Sequence, residues 1–338
     1  MNIVFSTIYG KCYEEDRLFD NSACKIGQNL LMPNIMLKNE LEKNGNEVHT
    51  ADMFEDFDCI IFHDVPGDSV LTIANLLDIV KYIVKRKWRK DYLLKSIKRL
   101  PREKVILQIN EPPTVSPKSY KKNYHKYFGK ILTWNDDLVD NKNYFKVSIP
   151  QYCEKKEYLI PLSERKSFVM IAGNKRSSHK NELYNKRKDI IEYFEMENER
   201  DKFDLYGFDW EKENYTNYKG TTGDKLKTLS NYKFCFCYEN IFGLNGYITE
   251  KIFDCFFAGC VPIYLGAENI LDYIPAETFV DVRNYSSIQE LINYLESLSE
   301  SEINNYLCAA RQFLNSAKFE DVFSVNAYVK RMVSLINL

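Results

Sequence analysis

Glu250 and Lys251 are the adjacent residues of this sequence whose types best suit binding a charged ligand. The pattern of the segment 232–266, YKFCFCYENIFGLNGYITEKIFDCFFAGCVPIYLG, places them in the first turn of a helix. A helix N-terminus offers free N–H groups and a partial positive charge to an anion such as a diphosphate, and Lys251 adds a full charge. Glu250 cannot bind phosphate, but its carboxylate can accept two hydrogen bonds from adjacent hydroxyls. The pair therefore predicts a site for a diphosphate beside a ribose or another sugar.

The elements expected around this pair are a strand, a glycine loop, a helix and a second strand. The strands are predicted over 234–238 and 261–265, with Thr249 as the helix N-cap and Gly259 as its C-terminal cap. The alternative is an ordinary strand–helix–strand unit whose helix happens to begin with an acidic residue. Spacing alone does not separate these two interpretations.

Arg187 interrupts the apolar face of a helix predicted over 181–195. It lies three residues from both Tyr184 and Ile190, which belong to that face. A buried arginine needs an anion, and a guanidinium suits a phosphate through paired hydrogen bonds. Alternatively, the side chain extends to the edge of the core or pairs with a buried carboxylate.

Glu111 follows directly after a strand predicted over 105–109, and Pro112 and Pro113 fix the turn behind it. The carboxyl ends of parallel strands are where ligands bind in doubly wound sheets, so this position suits a catalytic carboxylate. A glutamate there could act as a general base. The alternative is a surface glutamate at a loop edge.

Strands alternate with helical patterns in two blocks, which predicts an α/β fold made of two Rossmann-like domains with parallel sheets. Two such domains facing across a cleft form the GT-B architecture. The first block is predicted to contain strands at 3–5, 58–62, 105–109 and 130–134 with a helix at 28–44, and the second block strands at 167–172 and 203–207 before the segment described above. The predicted domains are 1–155 and 156–315, followed by an amphipathic helix within 316–338 that packs on the body.

Composition narrows the function classes. The net charge of −2 over 338 residues does not provide the excess positive charge that is typical of nucleic-acid-binding proteins. The four histidines and nine cysteines lack metal-ligand spacing, so no metal site is predicted. The start MNIVFSTIYG lacks the features of a signal peptide, which predicts a cytoplasmic protein.

The segment 81–104 is strongly basic and contains interspersed Trp88, Tyr92 and Leu93. A solvated helical face is one interpretation. The other is a peripheral contact with the inner membrane face, because basic amphipathic helices prefer anionic lipids.

Several of these motifs resemble one known family. The sequences YEN, GYITEKIFD, AG and VPIYLG within 232–266 resemble the donor-binding motif of the α-1,3/1,4-fucosyltransferases, glycosyltransferase family 10. The segments 174–194, 111–118 and 125–138 resemble the same family, whereas the first hundred residues do so only weakly.

The resemblance implies an inverting α-1,3-fucosyltransferase with GDP-β-L-fucose as donor and no cofactor or metal requirement. The first domain would bind the acceptor, either an N-acetyllactosamine-like glycan of Lewis type or a surface lipopolysaccharide or polysaccharide. The second would bind the donor. Glu111 would deprotonate the 3-hydroxyl of an N-acetylglucosamine or glucose unit. The resemblance also implies that Arg187 and Lys251 hold the diphosphate and that Glu250 binds the ribose of the guanosine. Asn240 and Tyr247 would line the same pocket.

Two rivals stay open. One is a GT-B transferase or epimerase that uses another nucleotide sugar, and a preference for GDP over UDP would argue against it. The other is a non-catalytic sugar-nucleotide-binding protein, for which a retained base at Glu111 would have no use.

Overall fold

A computed structural model describes residues 1–23, 29–73, 75–152, 160–196 and 199–337. The chain divides into two compact units. The first contains Met1–Tyr152 and Val325–Leu338, and the second contains Cys153–Ser324. Each unit has its own parallel sheet and its own cores.

The first unit is built on a six-stranded sheet in which every described pairing is parallel. Its strands are β1 Asn2–Thr7, β2 Glu47–Thr50, β3 Cys59–His63, β4 Val105–Ile109, β5 Lys130–Thr133 and β6 Tyr144–Lys146, and the helices between them are α1 Met32–Lys43, α2 Leu76–Val84, α3 Tyr92–Arg99 and α4 Lys122–His125. The strand order is β2-β1-β3-β4-β5-β6.

The period-two geometry of these strands gives the first unit two apolar cores. Ile3, Phe5 and Ile61 point to one face, where they pack with α1, while Val4 and Ile60 point to the opposite face, where they pack with α3. Apolar side chains on both faces explain why these strands read as continuous hydrophobic runs.

The second unit is built on a five-stranded parallel sheet. Its elements are β7 Lys166–Ile171, α5 Tyr184–Phe194, β8 Phe203–Tyr206, α6 Lys225–Leu229, β9 Tyr232–Tyr238, α7 Glu250–Ala258, β10 Val261–Leu265, α8 Ile270–Tyr273, β11 Val280–Asp281, α9 Ile288–Ser297, α10 Glu300–Leu314 and α11 Ala317–Val322. The order β11-β10-β9-β7-β8 makes β9 the central strand.

Strand β9 separates the two cores of the second unit. Phe234 and Phe236 face one core, and Cys235 and Cys237 face the other. The large aromatic rings of β9 therefore pack in one core and its small thiols in the other.

The parallel sheets predicted from the alternation of strands and helices are confirmed. Predicted strands 105–109 and 261–265 coincide with β4 and β10. Helix α1 begins at Met32 rather than at 28, a residue outside the described part of the chain. Strands β2, β6 and β11, which have two to four residues each, were not predicted.

The segment 316–338 is shared between the two units. Helix α11 belongs to the second unit, whereas α12, Val325–Asn337, belongs to the first. In the first unit α12 packs against α1, and the Lys130 ammonium donates to the carbonyl of Leu335 at 2.8 Å. The predicted domain boundary at 155/156 lies outside the described residues.

Met332 tests how much the packing of α12 contributes to stability. Its side chain is fully buried among the residues of α1 and the sheet. Met332→Ala should lower the free energy of unfolding by about 2–5 kcal/mol, because it leaves a cavity in the core. Lys330→Ala, at an exposed position of the same helix, should change it by less than about 0.5 kcal/mol. Urea unfolding measures both, and equal effects would contradict the packing described here.

Candidate functional site

The loop between β9 and α7 is fixed along its whole length by backbone hydrogen bonds. The N–H of Leu183 donates to the carbonyl of Asn240 at 3.2 Å, and the N–H of Gly243 donates to the carbonyl of Gly266 at 3.0 Å. Gly243 and Gly246 have φ of 79° and 78°, a backbone region that favours glycine. The loop therefore presents its residues from a defined backbone.

Glu239 anchors the start of α7. Its fully buried carboxylate accepts hydrogen bonds from the N–H and the hydroxyl of Thr249, both at 2.8 Å, and from Lys251 Nζ at 3.0 Å. A Cβ at Gly266 would lie 2.5 Å from the Glu239 Cγ, so the glycine makes room for this side chain. Sequence reasoning gave Glu239 no role, and the available signal was an acidic residue directly after a buried strand.

Thr249 occupies the predicted N-cap position, and Gly259 ends the helix in a left-handed conformation with φ of 66°. However, the Thr249 hydroxyl bonds to Glu239 instead of capping α7. The first-turn N–H groups are consequently not capped by that side chain.

Lys251 and Glu250 extend this charged group. Lys251 Nζ lies 3.6 Å from Glu250 Oε1. Burial lowers the pKa of Lys251, but Glu239 and Glu250 outweigh burial and raise it. Burial raises the pKa of Glu250, but Lys251 and Lys225 outweigh burial and lower the pKa to about 2. The Glu250 side chain is 45% exposed, so an anionic carboxylate is accessible beside the ammonium.

Arg187 is buried on α5, as its position in the apolar face predicts. Its Nη2 donates to the carbonyls of Tyr238 and Glu239 at 2.7 and 2.8 Å and to the Asn240 side chain at 3.0 Å. Burial lowers the pKa of Arg187. It forms no ion pair with a carboxylate anywhere in the described ranges; its charge is met by these oxygens, by the Tyr184 ring 5.1 Å away and by more distant acids.

Asn240 and Tyr247 lie at opposite ends of the β9–α7 loop and meet through their side chains. Asn240 Nδ2 donates to the Tyr247 hydroxyl at 3.4 Å, and Tyr247 is buried. The structure therefore brings Arg187, Asn240 and Tyr247 together, and Glu239 connects this group to Lys251.

Glu111 belongs to the first unit and is held at the end of β4 by three side chains. The Tyr9 hydroxyl donates to its carboxylate, and the Tyr120 hydroxyl donates to its carbonyl at 2.8 Å. Its N–H donates to Asp64 Oδ2 at 3.1 Å. Burial and the Glu111 carboxylate raise the pKa of Tyr9, which keeps that phenol a donor.

Sequence reasoning missed Asp64, which directly follows β3. Asp64 is buried, has a left-handed φ of 66°, and its Oδ1 has no hydrogen-bond partner among the described residues. Burial, and then the neighbouring Glu111, raise its pKa to about 8. The only signal in the sequence was an acidic residue at the end of the run DCIIFHD.

A cavity of about 300 Å³ lies within the first unit at the carboxyl ends of β1 and β2. Polar and aromatic side chains dominate its wall, including those of Thr7, Tyr13, Asp52, Asp68, Lys90 and Tyr92. Carboxylates beside aromatic rings are the side chains that bind neutral sugars. Within the described ranges, no cluster of three His, Cys, Asp or Glu residues could hold a metal ion.

The whole chain resembles solved glycosyltransferases in fold. An α1,3-fucosyltransferase crystallised with GDP-fucose aligns over 100% of this chain and 90% of its own, with a TM-score of 0.57 and 15% identity. An α-glucosyltransferase in complex with UDP and a mismatched DNA aligns over 100% of both chains, with a TM-score of 0.59 and 13% identity. The fold is thus of the GT-B class with two Rossmann-like units, which confirms the predicted fold class.

Sequence similarity is more specific than the fold. The model of the family described as glycosyltransferase family 10 (fucosyltransferase) C-term matches residues 162–309. This match covers less than half of the chain and confirms that the motifs within it resemble those of glycosyltransferase family 10.

Two relatives illustrate the extent of the similarity. An α-(1,4)-fucosyltransferase of Arabidopsis thaliana is 37% identical over 75 residues, which cover 22% of this chain and 18% of that protein. The α-(1,3)-fucosyltransferase FucT of Helicobacter pylori is 38% identical over 84 residues, covering 25% and 17% respectively. The alignments thus span less than a fifth of either relative.

Glu239→Gln tests the anchoring of α7. The substitution keeps the size of the side chain but removes the charge that faces Lys251, and should lower the free energy of unfolding by about 3 kcal/mol. Glu268→Gln is the matched control, because Glu268 is 57% exposed and lies 3.9 Å from Arg283. It should cost less than about 0.5 kcal/mol. Chemical denaturation compares the two, and a Glu239 variant as stable as wild type would refute the anchoring role.

Proposed function

We propose that this protein is an inverting α-1,3-fucosyltransferase that moves L-fucose from GDP-β-L-fucose to the 3-hydroxyl of an N-acetylglucosamine or glucose unit. One observation carries the proposal. The family 10 match over 162–309 contains the buried Arg187 and the charged start of α7, which together supply the groups that a sugar diphosphate needs.

The donor would be bound by the second unit. Arg187 has no carboxylate partner among the described residues, and its planar guanidinium suits the diphosphate. Lys251 and the N–H groups of α7 add positive charge, which would stabilise the departing GDP without a metal ion. Glu250, whose carboxylate is accessible, would accept hydrogen bonds from the ribose hydroxyls, and Asn240 and Tyr247 would line the pocket.

Glu111 would be the general base. It would accept the proton of the acceptor 3-hydroxyl while that oxygen attacks the anomeric carbon of fucose from the face opposite the diphosphate. The bond from that carbon to GDP would break, and the β linkage of the donor would become an α linkage. Tyr9 donates to Glu111 Oε1, so we assign Oε2 to the acceptor hydroxyl.

The acceptor would occupy the cavity of the first unit. Asp52 and Asp68 can accept hydrogen bonds from sugar hydroxyls, and Tyr13 and Tyr92 can stack on sugar rings. This wall suits a neutral glycan, either N-acetyllactosamine-like or part of a lipopolysaccharide or polysaccharide.

The general base and the donor are tested in one assay. Purified wild type should transfer sugar to N-acetyllactosamine from GDP-fucose but not from GDP-mannose or UDP-sugars. Lacto-N-biose, whose N-acetylglucosamine 3-hydroxyl is already substituted, should not accept fucose. Glu111→Gln should reduce turnover about 10²–10⁴-fold, because it removes the proton acceptor, and should leave GDP affinity unchanged.

Glu103→Gln, an exposed substitution just before β4, is the control and should keep wild-type turnover. Wild-type transfer with a UDP-sugar would favour the rival transferase, whereas GDP binding without turnover would support the donor site and point to a different glycan acceptor. NMR of the product linkage decides between inversion and retention.

We also propose that the protein contacts an anionic membrane surface at α2. Apolar residues on this helix and just after it are exposed, including Leu77 at 73%, Val84 at 74% and Trp88 at 52%. Lys85 and Arg86 are exposed in the same stretch. Exposed apolar side chains beside basic ones complement a bilayer with anionic headgroups.

This surface differs from the predicted segment 81–104. Tyr82 and Leu93 are buried in the structure, so the contact we propose is limited to 76–88. In the described part of the chain no helix is both long and apolar enough to cross a bilayer.

Vesicle flotation tests the membrane contact. Wild type should float with vesicles containing anionic lipid at low salt and should be released by high salt. The double variant Leu77→Asp/Val84→Asp should lose this binding, whereas Leu271→Asp, at a 55% exposed position of α8, should keep it. Binding that survives the double substitution, or absent binding of wild type at low salt, would refute the proposed surface.

A further inference from the structure

We propose that Asp64 is a positioning residue for Glu111, because it fixes the backbone of the loop that follows β4. Asp64 would not touch the substrate. Its effect on turnover rests on the proposed function, but its effect on the Glu111 backbone does not.

The geometry joins the ends of two neighbouring strands. The N–H of Asp64 donates to the carbonyl of Gln108 on β4 at 2.9 Å, and its Oδ2 accepts the N–H of Glu111 at 3.1 Å. The aspartate thus bonds to the chain on both sides of Ile109 and Asn110. Its left-handed φ of 66° aims the side chain at this loop, a strained conformation of the kind retained at functional sites.

Among the described residues, no positively charged side chain pairs with Asp64. The groups that face it are Glu111 after β4, Tyr9 after β1, and Ser119 and Tyr120 on the 3₁₀ helix Pro117–Tyr120. The adjacent His63 is also buried, and burial lowers the pKa of its imidazole to about 4, so it is uncharged at neutral pH.

A buried carboxyl beside a carboxylate, with no cation, favours the proton-bound form. Because burial and Glu111 raise the pKa of Asp64 to about 8, it is neutral at pH 7 and accepts the Glu111 N–H without repelling the Glu111 side chain. Above pH 8 two adjacent carboxylates would repel each other and displace the base.

The ionisation also predicts how stability depends on pH. An unfolded aspartate has a pKa near 3.9, so between about pH 4 and 8 the folded protein binds a proton that the unfolded chain does not. The contribution of Asp64 to the free energy of unfolding is therefore complete below pH 4 and falls as the pH rises to 8.

Asp64→Asn and Asp64→Ala separate the two properties of Asp64, which are its acceptance of the Glu111 N–H and its ability to ionise. Asparagine keeps an acceptor oxygen and tolerates a left-handed backbone, but it cannot ionise. Alanine removes the acceptor. Asp64→Ala should therefore accelerate hydrogen exchange of the Glu111 amide at least about tenfold and lower kcat about 10–100-fold with little change in KM for the donor. Asp64→Asn should preserve the protection of the amide and keep kcat at pH 7 close to wild type.

The pH profiles supply the second measurement. Wild type should lose turnover above pH 8, and Asp64→Asn should retain it. In thermal unfolding from pH 5 to 9, the gain in Tm of Asp64→Asn over wild type should grow up to pH 8 and then level off. Asp56→Asn, at a position whose side chain is 84% exposed, is the control, and its Tm should differ from that of wild type by a constant amount between pH 5 and 9.

The outcomes distinguish this proposal from the proposed function. Unchanged exchange of the Glu111 amide in Asp64→Ala would overturn the positioning role, and a constant Tm difference for Asp64→Asn would overturn the neutral carboxyl. If wild type transfers no sugar at all while both structural results appear, the positioning role stands and the fucosyltransferase proposal fails. If Asp64→Ala does not fold, the pH profile of turnover of Asp64→Asn decides. A profile that no longer falls above pH 8 supports the proposal, and a profile identical to that of wild type overturns it.

Discussion

The buried carboxylate of Glu239 is the contact on which the candidate donor site depends. It receives hydrogen bonds from the Thr249 backbone, the Thr249 hydroxyl and Lys251, and so joins the central strand of its sheet to the start of α7. Arg187 bonds to the carbonyls of the same short stretch from the opposite direction. A buried charge is tolerated only when its partners are in place, so the residues of this site require one another structurally before any ligand binds.

Both units use an acidic residue at the end of a strand to hold a neighbouring segment, but the residues around the two carboxyl groups differ. In each, an acidic residue directly follows a central strand and its side chain holds the next functional segment. Glu239 does this with a lysine partner, whereas Asp64 lies next to a second carboxyl group and has no cation beside it in the part of the chain that the structure describes. The first arrangement concentrates positive charge where an anion can bind, and the second keeps Glu111, the general base that we propose, in place without neutralising it.

Secondary-structure elements could be predicted from the sequence where an apolar run coincides with residues that typically begin or end such elements. Strand β4 and the start and end of α7 follow from an apolar run, a threonine and a glycine. Glu239 and Asp64 could not be assigned, because an acidic residue after a strand is usually solvated and only the folded neighbours reveal its partners. The exposed apolar face of α2 was missed for a related reason: helical periodicity identifies an apolar face but not whether another element covers it.

The return of α12 to the first unit has a consequence for synthesis. Val325–Asn337 is synthesised after Cys153–Ser324, so α12 does not cover the core of the first unit beside α1 until the second unit has been made. During that interval the apolar side chains of α1 and β1 are open to solvent and to other nascent chains. Of the two units, the one that is made first is thus completed last, and its uncovered core is the more exposed to chaperones and to aggregation.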